Sequence, residues 1–176
     1  KPMAVPYELF DRLWGCLDRW WLTVTADGKP PAGLGGDLTA LELAAGKTLG
    51  NDFAGALDIL DGPEGKRSEA RRRQLARGMV LWRLGRLEEA RAELAGLADG
   101  PTEFALQANL AIGAIDEQSG GPMPGRLDKS LESYRRAWRC DPGSELATVS
   151  LSMALVKRGR AEDLAEARGL LEDYLR

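Results

Sequence analysis

The sequence predicts an all-α protein built as an α-solenoid, about four helical hairpins stacked behind one N-terminal helix. Three observations predict it. Apolar residues recur at helical spacing along most of the chain, and no convincing alternating strand interrupts them. One phrase returns three times, as "GRLEEARAEL" from Gly85, "GRLDKSLESY" from Gly125 and "GRAEDLAEARGL" from Gly159. The turn glycines Gly50, Gly85, Gly125 and Gly159 lie 35, 40 and 34 residues apart (50 to 85, 85 to 125, 125 to 159). A period near 34 residues marks units that cannot bury an apolar face alone and must stack on their neighbours. The long interval has a local cause: Gly120 lies 35 residues after Gly85, so "GPMPG" (121–125) reads as a five-residue insertion in one turn.

The elements follow in order. Residues 6–22 place Phe10, Leu13, Trp14, Leu17 and Trp21 on one helical face, with Pro6 suited to the first turn. This leader (1–24) gives way to a Gly/Pro loop (25–36). The repeat region (37–176) then divides into units 37–62, 67–100, 102–142 and 144–176. Asp37 can cap a helix from Leu38 to Leu49, and a shorter helix runs from Asp52 to Leu60. Further helices are expected over Arg67–Leu84, Leu87–Ala98, Thr102–Gln118 with Thr102 as cap, Leu127–Cys140, Ser144–Arg158 and Glu162–Tyr174.

Composition excludes more than it selects. The chain holds no histidine, which removes Ser-His-Asp and Cys-His catalysis and every His-based metal site. Cys16 and Cys140 are too few for a zinc cluster and read as buried thiols or one long-range disulfide. A net charge of −3 gives no general pull toward nucleic acid or anionic lipid. No apolar run approaches the roughly 18 residues of a bilayer span. A soluble protein is expected, with the cytoplasm favoured and the periplasm open if a signal peptide was removed. The start at Lys1 without Met suggests a mature form or a piece of a longer chain.

In "RRRQLARGMVLWRLGRLEEARAEL" the residues Gly78, Gly85, Ala90 and Leu94 stand at fixed offsets, with Leu97 completing the set. Gly113, Ser130, Tyr134, Ala137 and Pro142 repeat it, the last three inside "YRRAWRCDP". Ser152, Gly159 and a displaced Ala167 repeat it again; Gly50 with Ala54 or Ala56 is the weakest copy. On these residues, roughly from Leu38 to Arg176, the chain resembles the tetratricopeptide (TPR) repeat family. The resemblance implies right-handed stacking, with small side chains letting adjacent helices approach and larger ones filling the space between.

It also implies a concave groove lined by the first helix of each pair. Carried over, the lining is Arg72, Leu75, Met79, Trp82 and Arg83, then Gln107, Leu110, Ala114, Glu117 and Gln118, then Leu146, Val149, Met153, Val156 and Lys157. Leu75, Leu110 and Val149 can equally be plain core, whereas Met79, Trp82 and Met153 suit an adaptable binding face. The expected function is a non-enzymatic protein–protein interaction scaffold that holds a peptide or helix of a partner. The alternative is an accessory or regulatory TPR domain of a larger enzyme or secretion machine. A family subclass grips a C-terminal carboxylate with Lys and Asn, but here those positions hold Ala40 and Ala44, or Leu75 and Met79, so that clamp is absent.

No cofactor, metal or small-molecule ligand is expected. The leader, with Trp14, Trp20 and Trp21, is expected to cap the solenoid, or else to dock in the groove of its own or a second chain as a homodimer. It shows no cationic face for a membrane. The basic run "KRSEARRRQLAR" (Lys66, Arg67, Arg71, Arg72, Arg73, Arg77) reads as a solvated face with Glu69 pairing Arg73, in preference to a nucleic-acid patch. "SGGPMPG" lacks the order of a phosphate loop.

Overall fold

The computed structural model describes residues 39–62, 69–119 and 124–176. Among them are eight α-helices and no strand, so the all-α class holds for the described residues. The expected leader helix and loop, Asp37, Cys16, Lys66, Arg67 and most of "GPMPG" lie outside them. The chain divides into two compact units, residues 1–93 and 94–176.

In the first unit, α1 (Ala40–Leu49) begins two residues later than the sequence suggests. The reason is a capping box spelled Thr-Ala-Leu-Glu. Thr39 Oγ1 accepts from the Glu42 N–H at 3.3 Å, and Glu42 Oε2 accepts from the Thr39 N–H at 2.7 Å. Two helix-end donors are satisfied at once, worth about 0.5–2 kcal/mol. Helix α2 (Phe53–Asp61) is capped by Asp52, whose Oδ1 accepts from the Gly55 N–H at 2.9 Å. Lys47 donates to the same carboxylate at 2.7 Å and holds it below its usual range.

Helix α3 (Ala70–Arg83) packs on both α1 and α2. Arg73 does not simply line a solvated face. Its guanidinium reaches back to the C-terminal end of α2, at 2.7 Å to Leu60 O, 3.2 Å to Ile59 O and 2.7 Å to the carbonyl of the cap residue Gly62. A cation at a helix C-terminus, donating to carbonyls that have no partner inside the helix, is favourable on both counts. Arg77 ties α3 to Asp61 at 2.6 Å and to Glu93 at 2.7 Å, on α4 (Leu87–Ala95). Two cations of the basic run are therefore spent on holding helices together.

Two of the turns share one closure. After α3, Gly85 takes φ 76°, and the Gly85 and Arg86 N–H groups donate to Trp82 O and Leu81 O, a Schellman closure. After α1 the same closure uses Asn51 at φ 60°, with Asn51 and Asp52 donating to Thr48 O and Lys47 O. The left-handed residue is thus Asn51, not Gly50, which sits at φ −78°. Position 51 to position 85 is a step of 34 residues.

The second unit takes in the end of α4 and four further helices. Helix α5 (Thr102–Gln118) is buried along nearly its whole middle. Its cap position is Pro101, whose carbonyl accepts from Phe104 and Ala105 at 2.9 Å, so Thr102 already lies inside the first turn. Asn109 donates from one amide to Ala98 O at 2.9 Å and Ala105 O at 2.8 Å, fastening α5 to the turn before it. The expected helix to Ala98 stops at Ala95 and tightens into short-range turn bonds over Leu94–Ala98.

Helix α6 (Pro124–Cys140) starts three residues before its expected Leu127. Proline suits a first turn, where its missing N–H loses nothing, so Gly125 lies within a helix instead of at a turn. Cys140 is a free, half-buried thiol. Helix α7 (Glu145–Arg158) is capped by Ser144, whose Oγ accepts from the Ala147 N–H at 3.3 Å. Gly159 at φ 75° turns the chain into α8 (Ala161–Tyr174). Each of these helices packs on the next, and α5 also touches α7.

Of the residues that recur in the sequence, Gly50, Gly85, Pro142 and Gly159 are exposed, and the small residues within the helices are interior. Gly78, Ala90, Gly113, Ser130, Ala137, Ser152 and Ala167 are all buried. Ser130 fits where alanine is usual because its hydroxyl donates to Leu127 O at 3.0 Å, so no polar group is stranded.

Candidate functional site

Helix α7 has two unlike sides. Ala147, Thr148, Leu151, Ser152, Ala154 and Leu155 are buried. Leu146 and Val149 are half-buried, and Met153 and Val156 stand 68% and 55% exposed. At 100° per residue, these last four fall within about 80° of arc, and Leu146 to Val156 spans roughly 15 Å of helix. Lys157, exposed, stands beside this arc. Isolated surface methionines and valines need no explanation, but four apolar residues in one row do.

At the end of α5, in the same unit, Glu117 and Gln118 are half-buried. Burial pushes the Glu117 carboxyl above its usual range, and the Lys157 charge opposes that without overcoming it. Helices α5 and α7 touch, and the charges of Glu117 and Lys157 act on each other. Tyr134 on α6 feels Asp116 and Glu117, and its burial with these neighbours raises its hydroxyl pKa strongly.

The remaining expected lining residues fall out differently. Gln107, Leu110 and Ala114 on α5 are buried. On α3, in the first unit, Leu75, Met79 and Trp82 are buried, Met79 at 1% and Trp82 at 2% exposure. Arg83 lies over the Phe53 ring at 5.0 Å, a cation–π contact worth about 0.5–1 kcal/mol. Arg72 is exposed. The structure therefore brings Glu117, Gln118, Leu146, Val149, Met153, Val156 and Lys157 to the surface of the second unit and closes the apolar members on α3 from solvent.

Met79 and Met153 hold the same offset from a buried small residue, Gly78 and Ser152, and so do Trp82 and Val156. One register is closed on α3 and open on α7. No local signal in the sequence distinguishes the two, because what covers a helix face is decided by residues distant along the chain. A second exposed row passed unnoticed in the sequence: Leu164, Leu171 and Leu175 near and along α8, at i, i+7 and i+11. That spacing was visible; the phrase "GRAEDLAEARGL" masked it by matching the repeat.

Among the described residues no helix is long and apolar enough to cross a membrane, and no group of three or more His, Cys, Asp or Glu side chains could hold a metal ion. Set against known proteins, the chain matches no family model and no curated sequence.

Proposed function

We propose that this chain is a TPR-like right-handed α-solenoid that acts as a non-catalytic scaffold, holding a helix or peptide of a partner protein. The observation that carries the reading is the open apolar row on α7, where Met153 and Val156 are exposed while their register mates Met79 and Trp82 are buried. An apolar row rimmed by Glu117, Gln118 and Lys157 has the make-up of a docking face: anchors in the middle, polar groups at the edge. The solenoid part is supported by the 34-residue step between two like turns, the burial of Gly78, Ala90, Gly113, Ser130, Ala137, Ser152 and Ala167, and the packing of consecutive helices over α1–α3 and over α5–α8.

The test uses a photo-crosslinking residue in place of Met153, with a control at Glu88 on the exposed side of α4. In extract of the source cells, Met153 is expected to yield a discrete adduct that Glu88 does not, and Val156→Glu is expected to abolish it. The same adducts from both positions, or an adduct indifferent to Val156→Glu, would sink the reading. Substitutions at Met79 or Trp82 are unsuited to this purpose, since they would disturb the interior.

A further inference from the structure

Glu117 is the member of this face that apolar docking alone does not explain. It is half-buried at the end of α5, and its carboxylate makes no ion pair or hydrogen bond among the described residues. Lys157 acts on it through space but does not reach it. A partner that covers Met153 and Val156 removes more of the water around this carboxylate. A desolvated carboxylate left without a counter-charge opposes binding strongly.

We infer that the partner seated on α7 is an amphipathic helix carrying an arginine or lysine beside its apolar anchors, and that this cation lands on Glu117. The inference rests on the docking role proposed above. A helix fits better than an extended strand, because α7 offers no unpaired backbone groups and a covered strand would leave its own unsatisfied. The row at 146, 149, 153 and 156 presents the 3–4 residue ridge that a second helix packs against, and three partner turns, roughly 16 Å, cover it. Lys157 supplies the counter-charge only in part, since it acts through space and makes no contact with the carboxylate. Its long exposed stem lets the ammonium move to the rim when the face is covered, whereas the shorter Glu117 stays where α5 holds it. An arginine from the partner can meet the carboxylate with two parallel N–H donors.

The experiment uses two synthetic amphipathic helical peptides with one Leu/Ala face, flanked by Arg in one and by Glu in the other. Fluorescence anisotropy measures their binding to the whole chain and to Glu117→Gln, Lys157→Ala and Met153→Glu, each checked for native helicity by circular dichroism. The Arg peptide is expected to bind the unaltered chain about tenfold more tightly than the Glu peptide. Glu117→Gln is expected to erase most of that preference, and Met153→Glu to weaken both peptides. Equal binding of the two peptides, or a preference that survives Glu117→Gln, overturns the inference. So does preference for the Glu peptide that Lys157→Ala removes, which would assign an acidic partner. In each of those results the docking face still stands provided Met153→Glu weakens binding. If Met153→Glu binds as the unaltered chain does, or neither peptide binds at all, the docking face fails with it.

Discussion

The ring of Tyr134 occupies the space that Gly113 leaves by having no side chain. A Cβ built at Gly113 would lie 2.6 Å from Tyr134 Cε1 and 2.7 Å from Cδ1, so α5 and α6 approach through this pair and no larger residue fits. Gly113→Ala is therefore expected to destabilise by about 1–3 kcal/mol despite alanine's better helix propensity. Gly169 in α8 makes the control: nothing lies within 4 Å of its would-be Cβ. There Gly169→Ala is expected to stabilise by about 0.5–1 kcal/mol. Urea unfolding of the two variants checks the opposite signs.

The left-handed turns rank substitutions in a different way. Gly85→Ala has room for its methyl but must hold φ 76°, which costs about 1–2 kcal/mol. Gly85→Asn is expected to lose less, because the chain already uses Asn51 at φ 60° in the equivalent closure. Thermal midpoints that fall in the order Gly, Asn, Ala support this; Asn falling with Ala refutes it.

Two carboxylates set opposite slopes of stability against pH. Asp163, almost fully buried, takes both Arg158 donors at 2.6 and 2.7 Å, and it also accepts from the Arg160 N–H; these hold its carboxyl below its usual range. The unfolded chain then binds the proton more readily, so this contribution is complete above the ordinary aspartate value of about 3.9 and is lost as pH falls below it. Glu117 runs the other way: raised by burial, it lowers stability once pH climbs through its folded value. Asp163→Asn is expected to flatten the acid limb of a thermal-midpoint profile. Glu117→Gln is expected to raise the midpoint at neutral pH and leave it unchanged below about pH 4.

The shared register of α3 and α7 predicts unequal costs for similar truncations. Trp82→Ala removes a buried side chain and is expected to cost about 3–5 kcal/mol, whereas Val156→Ser, on the open face, is expected to stay within about 0.5 kcal/mol. Denaturant midpoints read both.

Helix number and order over the described residues were legible from periodicity and turn glycines, because both are local properties. The starts at Asp52 and Ser144 were legible to within one residue, because each expected first residue is the one that caps its helix; at the two expected caps, Asp37 and Thr102, the cap positions are instead Thr39 and Pro101. Thr39 with Glu42 spells a capping box two residues past Asp37, and Pro124, inside a Gly/Pro-rich stretch that reads as loop, starts a helix. The exposed apolar row on α7 was legible only in part. Positions 153 and 156 could be placed in a register from the sequence, but their exposure, and the burial of 79 and 82, depend on contacts distant in the chain. The role of Arg73 was hidden for the same reason, since its carbonyl partners lie 11 to 14 residues earlier and on another helix.

Arg158 closes α7 with three short contacts, two to Asp163 on α8 and one at 2.6 Å to Asp128 on α6. One guanidinium thus braces the end of α7 from both neighbouring helices, within one turn of Val156. This bracing favours a face whose shape is set when the unit folds, so a partner docking as proposed would meet it without first having to order it. If the proposed partner docks here, its association is expected to follow a single bimolecular step with a concentration-proportional rate, and Arg158→Ala is expected to add a slow phase in which α7 must first settle.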